Sequence, residues 1–247
     1  MLSPTIMTFL EHLAQLRKQI IAIAIVFVLC TVAGLVVAPY IFDAIKNAPP
    51  ASSMDWNTFS PFDGVRIYMV IAMSVALVLT LPVALLLIWN FVKKGMYPHE
   101  RSATLRYIPY SVFCLLVGLA FGYFVVLPMS FSFVTSVSEK LQLTETYGVA
   151  QYFGFMMNIV LPVAAAFELP IVVMFLTRIG LLTPERLRRS RRYAYLVLVV
   201  VSNLMTPPDI VSDFLLLIPL ILLFEISVWL SKSVYRKRVA ATEAMAS

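Results

Sequence analysis

Six long apolar runs, separated by short polar connectors, make up most of this chain. The runs cover residues of about 20–40, 66–92, 108–134, 151–178, 193–206 and 210–231. An α-helix needs about 20 apolar residues to cross the hydrocarbon of a bilayer. Backbone polar groups in lipid must be satisfied within the segment, and no run alternates as a barrel strand does. The pattern therefore predicts an all-α polytopic membrane protein with six transmembrane helices.

The last two runs are shorter than the others and are joined by a tight turn. Residues 193–205 form about 20 Å of helix, less than the roughly 30 Å of a hydrocarbon core. Pro207 and Pro208 follow and end that helix, while Asp209 can cap the next one. We therefore expect the fifth and sixth spans to be short.

The connectors leave no room for a separate soluble domain. We expect one six-helix domain over residues 1–238 and a disordered cytoplasmic tail over 239–247. Phe9, Leu13, Leu16 and Ile20 form a helical stripe ahead of the first span. This spacing predicts an amphipathic helix over residues 5–19 that lies at the membrane interface and continues into span one.

Composition and charge agree with a membrane protein and set its orientation. The chain is 61% hydrophobic with a mean hydropathy of +0.90, and only 13% of its residues are charged, against about 25% in soluble domains. Sixteen of the 19 Lys and Arg residues fall on one side of the predicted spans; the other side has Lys46, Arg66 and Lys140. Basic residues beside spans stay in the cytoplasm. Both termini are therefore predicted to be cytoplasmic, and the net charge of +6 requires no nucleic-acid partner.

Glu168 is the most unusual residue, because it lies in the middle of an apolar run. Pro162 and Pro170 flank it. An ionisable group at membrane depth costs several kcal/mol, roughly 3 or more, unless it meets a partner, a proton or water. Two interpretations stay open: a working surface that contacts another helix, or a structural hydrogen bond inside the bundle.

The parts of an intramembrane enzyme are missing from the sequence. It has no HExxH, no Gly-x-Ser-x-Gly, no P-loop and no pair of aspartates at membrane depth. Cys30 and Cys114 lie inside apolar runs without metal-ligand spacing, and His12 and His99 lie at the interface. We expect no enzymatic activity, no metal site and no cofactor.

Short motifs in a fixed order resemble the TatC family, the multispanning receptor subunits of the twin-arginine protein translocase. The resemblance covers about residues 9–234. The motifs are His-Leu-Ala-Gln-Leu-Arg at 12–17, Ala-Pro at 48–49, Phe91, Met-Tyr-Pro-His-Glu-Arg at 96–101, Gly-Tyr-Phe-Val-Val-Leu-Pro at 122–128, Ala-Phe-Glu-Leu-Pro at 166–170, Thr-Pro-Glu at 183–185 and Thr-Pro-Pro-Asp at 206–209.

The resemblance implies a glove-shaped bundle in the prokaryotic cytoplasmic membrane. It further implies that the cytoplasmic face binds Arg-Arg signal peptides of folded precursor proteins. The single-span subunits TatA and TatB would join it in an oligomeric complex that exports folded proteins with the proton-motive force.

The resemblance also implies a signal-peptide site, in which the sequence departs from the family at one position. Glu100 matches one of the two acidic positions of the family, while the other position is Gln15 here. Gln cannot neutralise a guanidinium, although its carbonyl accepts a hydrogen bond. Glu11 lies four residues earlier on the same helical face, and we hypothesise that it takes over the missing charge. Arg17 and Phe91 complete the expected site.

Two further groups of residues follow from the resemblance. Glu168, Thr206 and Asp213 are expected to contact partner helices, and Asp213 stands where a neutral polar residue is usual. The residues expected to shape the external loops are Pro49, Tyr123, Pro207, Pro208 and Asp209.

A proton-coupled secondary transporter that uses Glu168 is the alternative function. Such transporters usually contain repeated halves with matching interrupted helices. Residues 1–125 and 126–247 show no such match, and Pro162 and Pro170 have no counterpart pair in the first half.

Overall fold

The protein is a bundle of long α-helices. The computed structural model describes residues 9–54, 56–92, 107–143, 146–205 and 210–246. In chain order the helices are α1 (Phe9–Lys46), α2 (Asp63–Val92), α3 (Tyr107–Phe121), α4 (Leu127–Lys140), α5 (Val149–Ala166), α6 (Leu169–Arg178), α7 (Pro184–Arg189), α8 (Arg191–Met205) and α9 (Ile210–Ala246). A π-helical turn, Gly122–Val126, joins α3 to α4. The described residues contain no β-strand, only an isolated bridge between Asn57 and Gly148.

Five segments of the described chain are long and apolar enough to cross a membrane. They are Ala14–Lys46, Asp63–Trp89, Pro109–Lys140, Val149–Arg178 and Leu216–Arg236. Each overlaps one predicted span. The predicted fifth span corresponds to α8, whose 15 residues make about 22 Å of helix. The count of six spans therefore remains a prediction.

The last helix is longer than the sequence predicts. α9 has 37 residues and runs to Ala246, so the sixth helix is not short, and it includes most of the tail for which disorder is predicted. Residues after Pro219 contain no glycine or proline and many good helix formers, so nothing in the sequence stops the helix at the membrane surface.

Contacts between helices show which ends share a face of the bundle. Thr177 near the end of α6 is hydrogen-bonded to Ser231 of α9, and Trp89 near the end of α2 packs against Phe175 of α6. The carboxyl ends of α2 and α6 therefore meet at one face, beside Ser231 in the second half of α9. This face, which we call the basic face, also carries the arginines of α7.

The opposite end is closed by loops and aromatic rings. The backbone of Asn57 bonds to that of Val149, which ties the α1–α2 connector to the start of α5. Trp56 of this connector stacks edge-on against Tyr152, and Phe42 stacks on Phe153. The connector and the aromatic rings of α1 and α5 therefore pack together at this end of the bundle.

Close packing of α3 on α5 depends on two glycines. A Cβ at Gly118 would lie 2.8 Å from Cβ of Phe167 and 2.9 Å from Cα of Ala164, and one at Gly122 would lie 3.2 Å from Cα of Val160. The Gly-x-x-x-Gly pair thus lets the helix backbones approach each other directly. This contact brings α3 alongside the residues that surround Glu168.

Candidate functional site

Glu168 occupies a break between two helices at membrane depth. α5 ends at Ala166 and α6 begins at Leu169. Pro170 explains the break, because it has no N–H to donate to the carbonyl of Ala166 and its ring would collide with that carbonyl. The carbonyl of Glu168 then accepts the first hydrogen bond of α6, from Val172 at 3.0 Å. The proline-flanked glutamate is thus the N-cap residue of α6.

The side chain of Glu168 points into the bundle and meets Ser111 of α3. The Ser111 hydroxyl lies 2.9 Å from Oε1 and 2.8 Å from Oε2 of the carboxyl group. Glu168 is 4% exposed and Ser111 is 2% exposed. A carboxyl group in an apolar medium is stabilised by such a partner. This bond is the one that the second sequence interpretation, a structural hydrogen bond inside the bundle, predicts. The sequence analysis did not identify Ser111 as a member of the site.

A second acidic group that the sequence analysis missed is Glu225 of α9. Arg191 forms an ion pair with Oε2 of Glu225, and the hydroxyl of Tyr195 donates to Oε1 at 2.6 Å. The side chains of Arg191 and Glu225 are 37% and 34% exposed. Glu225 gives the same signal as Glu168, an acid in an apolar run, so the sequence could have revealed it. Its partners on α8 became evident only from the fold.

Asp213 lies in the first turn of α9. It is half-buried, and its Oδ1 atom is buried without a hydrogen-bond partner in the described part of the chain. Thr206, Pro207, Pro208 and Asp209 lie outside the described residues, so their predicted roles remain predictions.

The residues predicted for the signal-peptide site are only partly described. Gln15 is half-buried and Arg17 is exposed, both on the first part of α1. Glu11 and Phe91 belong to the helices α1 and α2, but their side chains lie outside the described part. Glu100 lies outside it entirely. The grouping of these five residues into one site therefore remains a prediction.

Two residues predicted to shape external loops occupy different environments. Pro49 is exposed in the turn after α1, as expected for a loop residue. Tyr123 instead lies in the π-helical turn within a candidate span, packs edge-on against Phe124 and lines an apolar cavity of about 340 Å³ between α1, α2 and α5. Tyr123 is therefore part of the helical bundle and not of a loop.

No group of three or more metal-ligating side chains occurs among the residues that the structure describes. Some of the described polar side chains form pairs between helices: Ser111 with Glu168, Thr177 with Ser231, and Arg191 with Glu225. Such pairs hold helices together in lipid.

Comparison with known proteins gives consistent matches over nearly the whole chain. Residues 11–219 match the family described as Sec-independent protein translocase protein (TatC). The TatC protein of Halalkalibacterium halodurans is 41% identical over 94% of this chain and 91% of its own length. TatCy of Bacillus subtilis is 38% identical over 94% of this chain and 91% of its own length. A crystal structure of a twin arginine translocase receptor, TatC, has a TM-score of 0.79 and 31% identity over 91% of this chain and 99% of its own.

Proposed function

Because this chain belongs to the TatC family of Sec-independent protein translocase proteins, we propose that it is the core receptor subunit of a twin-arginine translocase. It binds Arg-Arg signal peptides at its cytoplasmic face, recruits single-span TatA and TatB subunits, and exports folded proteins with the proton-motive force. The observation that carries this proposal is the match to a structure described as a twin arginine translocase receptor over 91% of the chain.

Charge supports the proposed orientation. The ends of α2 and α6 meet α9 near Ser231 at the basic face, while the described basic residues of the opposite end are Lys46, Arg66 and Lys140. By the positive-inside rule the basic face is cytoplasmic. Six crossings, with α8 as a short fifth span, place both termini there. The receptor surface then faces the compartment in which precursors are made.

The proposed signal-peptide site combines Glu100 with Gln15, Glu11, Arg17 and Phe91. A carboxylate can hold a guanidinium by two parallel hydrogen bonds, which an ammonium group cannot reproduce. Gln15 offers a carbonyl acceptor without charge. Glu11 lies one helical turn from Gln15, so its carboxylate is within reach of the same peptide and supplies the second negative charge.

Crosslinking to a signal peptide tests this site. We expect a peptide with Arg-Arg to crosslink strongly and the same peptide with Lys-Lys to crosslink weakly. Hydrogen bonds to charged groups contribute about 1.5–3 kcal/mol, so Glu100→Gln should weaken binding at least tenfold. Glu185→Gln, an exposed change on α7 at the same face, is the matched control. Equal crosslinking of the two peptides would contradict the receptor function.

The role of Glu11 needs its own pair of variants. If Glu11 supplies the second charge, Glu11→Gln weakens peptide binding, and Gln15→Glu in the Glu11→Gln background restores it. Unchanged binding in Glu11→Gln would show that Gln15 suffices beside Glu100.

Partner recruitment is proposed for Glu168, Thr206 and Asp213. Since Ser111 already bonds to the Glu168 carboxyl, a polar side chain of a partner helix must share or replace that bond. Asp213 has a buried oxygen without a described hydrogen-bond partner, which a partner helix could satisfy. Co-purification of TatA and TatB should fall in Glu168→Ala and stay at the parent level in Ser111→Ala, which leaves the carboxyl available.

The remaining proposed roles are structural. Pro49 shapes the first external loop, and Pro207, Pro208 and Asp209 shape the turn between α8 and α9. The transporter alternative receives no support from the comparisons, which name protein translocase components. In the described part of the chain Glu168 is 4% exposed and its carboxyl is bonded to Ser111, so the structure accounts for this acid without a transported proton.

A further inference from the structure

An open groove runs between α3, α6 and α9, where the apolar side chains of Phe113 and Ile226 are exposed. Its volume is about 600 Å³. Phe113, Val117, Phe167, Met174 and Leu223 are among its apolar lining residues. At the basic face it adjoins a recess of about 490 Å³, because Ser233 lines both.

Positive charge is concentrated at one end of this groove. Arg178 lines the groove itself, while Lys232 and Arg236 line the adjoining recess. The Nε atom of Arg178 is buried and has no hydrogen-bond partner within the described part of the chain. Neither lining includes an acidic side chain among the described residues. The end of the groove is therefore suited to an anionic group.

The length of the groove indicates what it holds. Its α9 wall extends from Leu223 to Val234, which is about 16 Å of helix at 1.5 Å per residue. That is close to one leaflet, half of the roughly 30 Å hydrocarbon thickness. A single-span partner helix would need a groove along the whole thickness. A lipid needs one leaflet, with its headgroup at the charged end.

We propose that this groove is a binding site for one anionic phospholipid. The phosphate lies at Arg178, Lys232 and Arg236, and an acyl chain lies between α3, α6 and α9. Basic pockets between transmembrane helices recognise anionic headgroups in this way. The deep end of the groove is formed by Phe167, beside the helix break at Glu168, so the lipid covers the contact of α3 with α6. The inference does not depend on signal-peptide binding.

Native mass spectrometry of the full chain in a neutral detergent tests the proposal. The probes are phosphatidylglycerol and phosphatidylcholine with identical acyl chains. We expect one tight phosphatidylglycerol adduct and no equally tight phosphatidylcholine adduct. A basic residue near an anionic headgroup contributes roughly 1 kcal/mol, so Arg178→Gln and the pair Lys232→Gln with Arg236→Gln should weaken the adduct about fivefold per charge removed.

Two controls separate a built site from general surface attraction. Arg188→Gln with Arg189→Gln also removes two positive charges from the basic face. These exposed residues of α7 do not line the groove or the recess. This variant should keep the tight adduct. Val117→Trp fills the groove without changing charge and should remove the adduct. A melting temperature equal to the parent's shows that each variant is folded.

Three outcomes would overturn the proposal. One is equal binding of the two lipids by the parent chain. Another is an equal loss of binding in the Arg188 and Arg189 control. The third is a parent chain that is dimeric and becomes monomeric in Val117→Trp with unchanged lipid adducts, which would mean that a second copy of the chain covers the groove. Since no peptide is present, each result leaves the receptor proposal untouched.

Discussion

At the scale of single residues, the chemistry of this bundle is decided by how a few polar side chains are satisfied away from water. Glu168 is the clearest case. Its carboxyl group is 4% exposed and reaches one described hydrogen-bond donor, the hydroxyl of Ser111. Removing that donor leaves the carboxyl without a partner in an apolar environment, which costs more than the bond itself contributed.

Ser111→Ala is therefore expected to lower the free energy of unfolding by about 1–2 kcal/mol. Glu168→Gln keeps an acceptor for the Ser111 hydroxyl and should cost less. Thermal melting in detergent measures both, and the pair Ser111→Ala with Glu168→Ala gives the coupling energy. A melting temperature for Ser111→Ala equal to the parent's would mean that the bond contributes nothing to stability.

At the scale of elements, the bundle depends on close approach of helix backbones and on polar pairs between helices. Gly118 of α3 touches α5 so closely that a Cβ would lie 2.9 Å from the Ala164 backbone. Packed helices cannot absorb an extra carbon there without separating. An added Cβ at Gly154 of α5 would meet nothing within 4 Å. The same glycine-to-alanine change can therefore be compared at a packed and at an open position.

Gly118→Ala should destabilise the protein by about 1–3 kcal/mol because the helices must move apart. Gly154→Ala should stabilise it by about 0.5–1 kcal/mol, since alanine favours the helix. Thermal melting of the two variants shows whether each change raises or lowers the stability. The explanation from packing fails if both variants shift the melting temperature in the same direction.

The packing of α8 against α9 depends on Glu225. Because the ion pair with Arg191 is about one-third exposed, solvent screens it, and its loss should cost about 1–2 kcal/mol rather than the 3–5 kcal/mol of a fully buried pair. We expect Glu225→Gln to lower the melting temperature by more than Tyr195→Phe, which removes one hydrogen bond only. Glu185→Gln, exposed on α7, serves as the control. Equal effects of Glu225→Gln and Glu185→Gln would contradict this role.

At the scale of the whole molecule, the direction of each helix follows from contacts at its ends. Thr177 meets Ser231, so α6 ends at the face that α9 reaches at Ser231. Arg191 at the start of α8 meets Glu225, so α8 leaves that face and α9 returns to it. This arrangement agrees with an even number of crossings although α8 is only 15 residues long.

Cysteine labelling in intact cells tests the orientation. In a background with Cys30→Ala and Cys114→Ala, a membrane-impermeant maleimide should label Lys140→Cys without permeabilisation. Arg189→Cys and Arg236→Cys should be labelled only after permeabilisation, because the positive-inside rule predicts that the basic face is cytoplasmic. Labelling of Arg236→Cys in intact cells would mean that α8 does not cross the membrane.

The sequence by itself determined the membrane class, the positions of five candidate spans, the proline-flanked glutamate and the family. These properties depend on residues close together in the chain: apolar length, proline geometry and short motifs. Only the tertiary structure decided that Ser111 bonds to Glu168 and that Arg191 and Tyr195 meet Glu225. It also decided that α3 packs closely against α5 at Gly118. It also showed α9 continuing to Ala246 and a groove with a basic end. Apart from the length of α9, which follows from its own helix-forming residues, each of these depends on residues far apart in sequence, whose meeting is set by packing and not by local pattern.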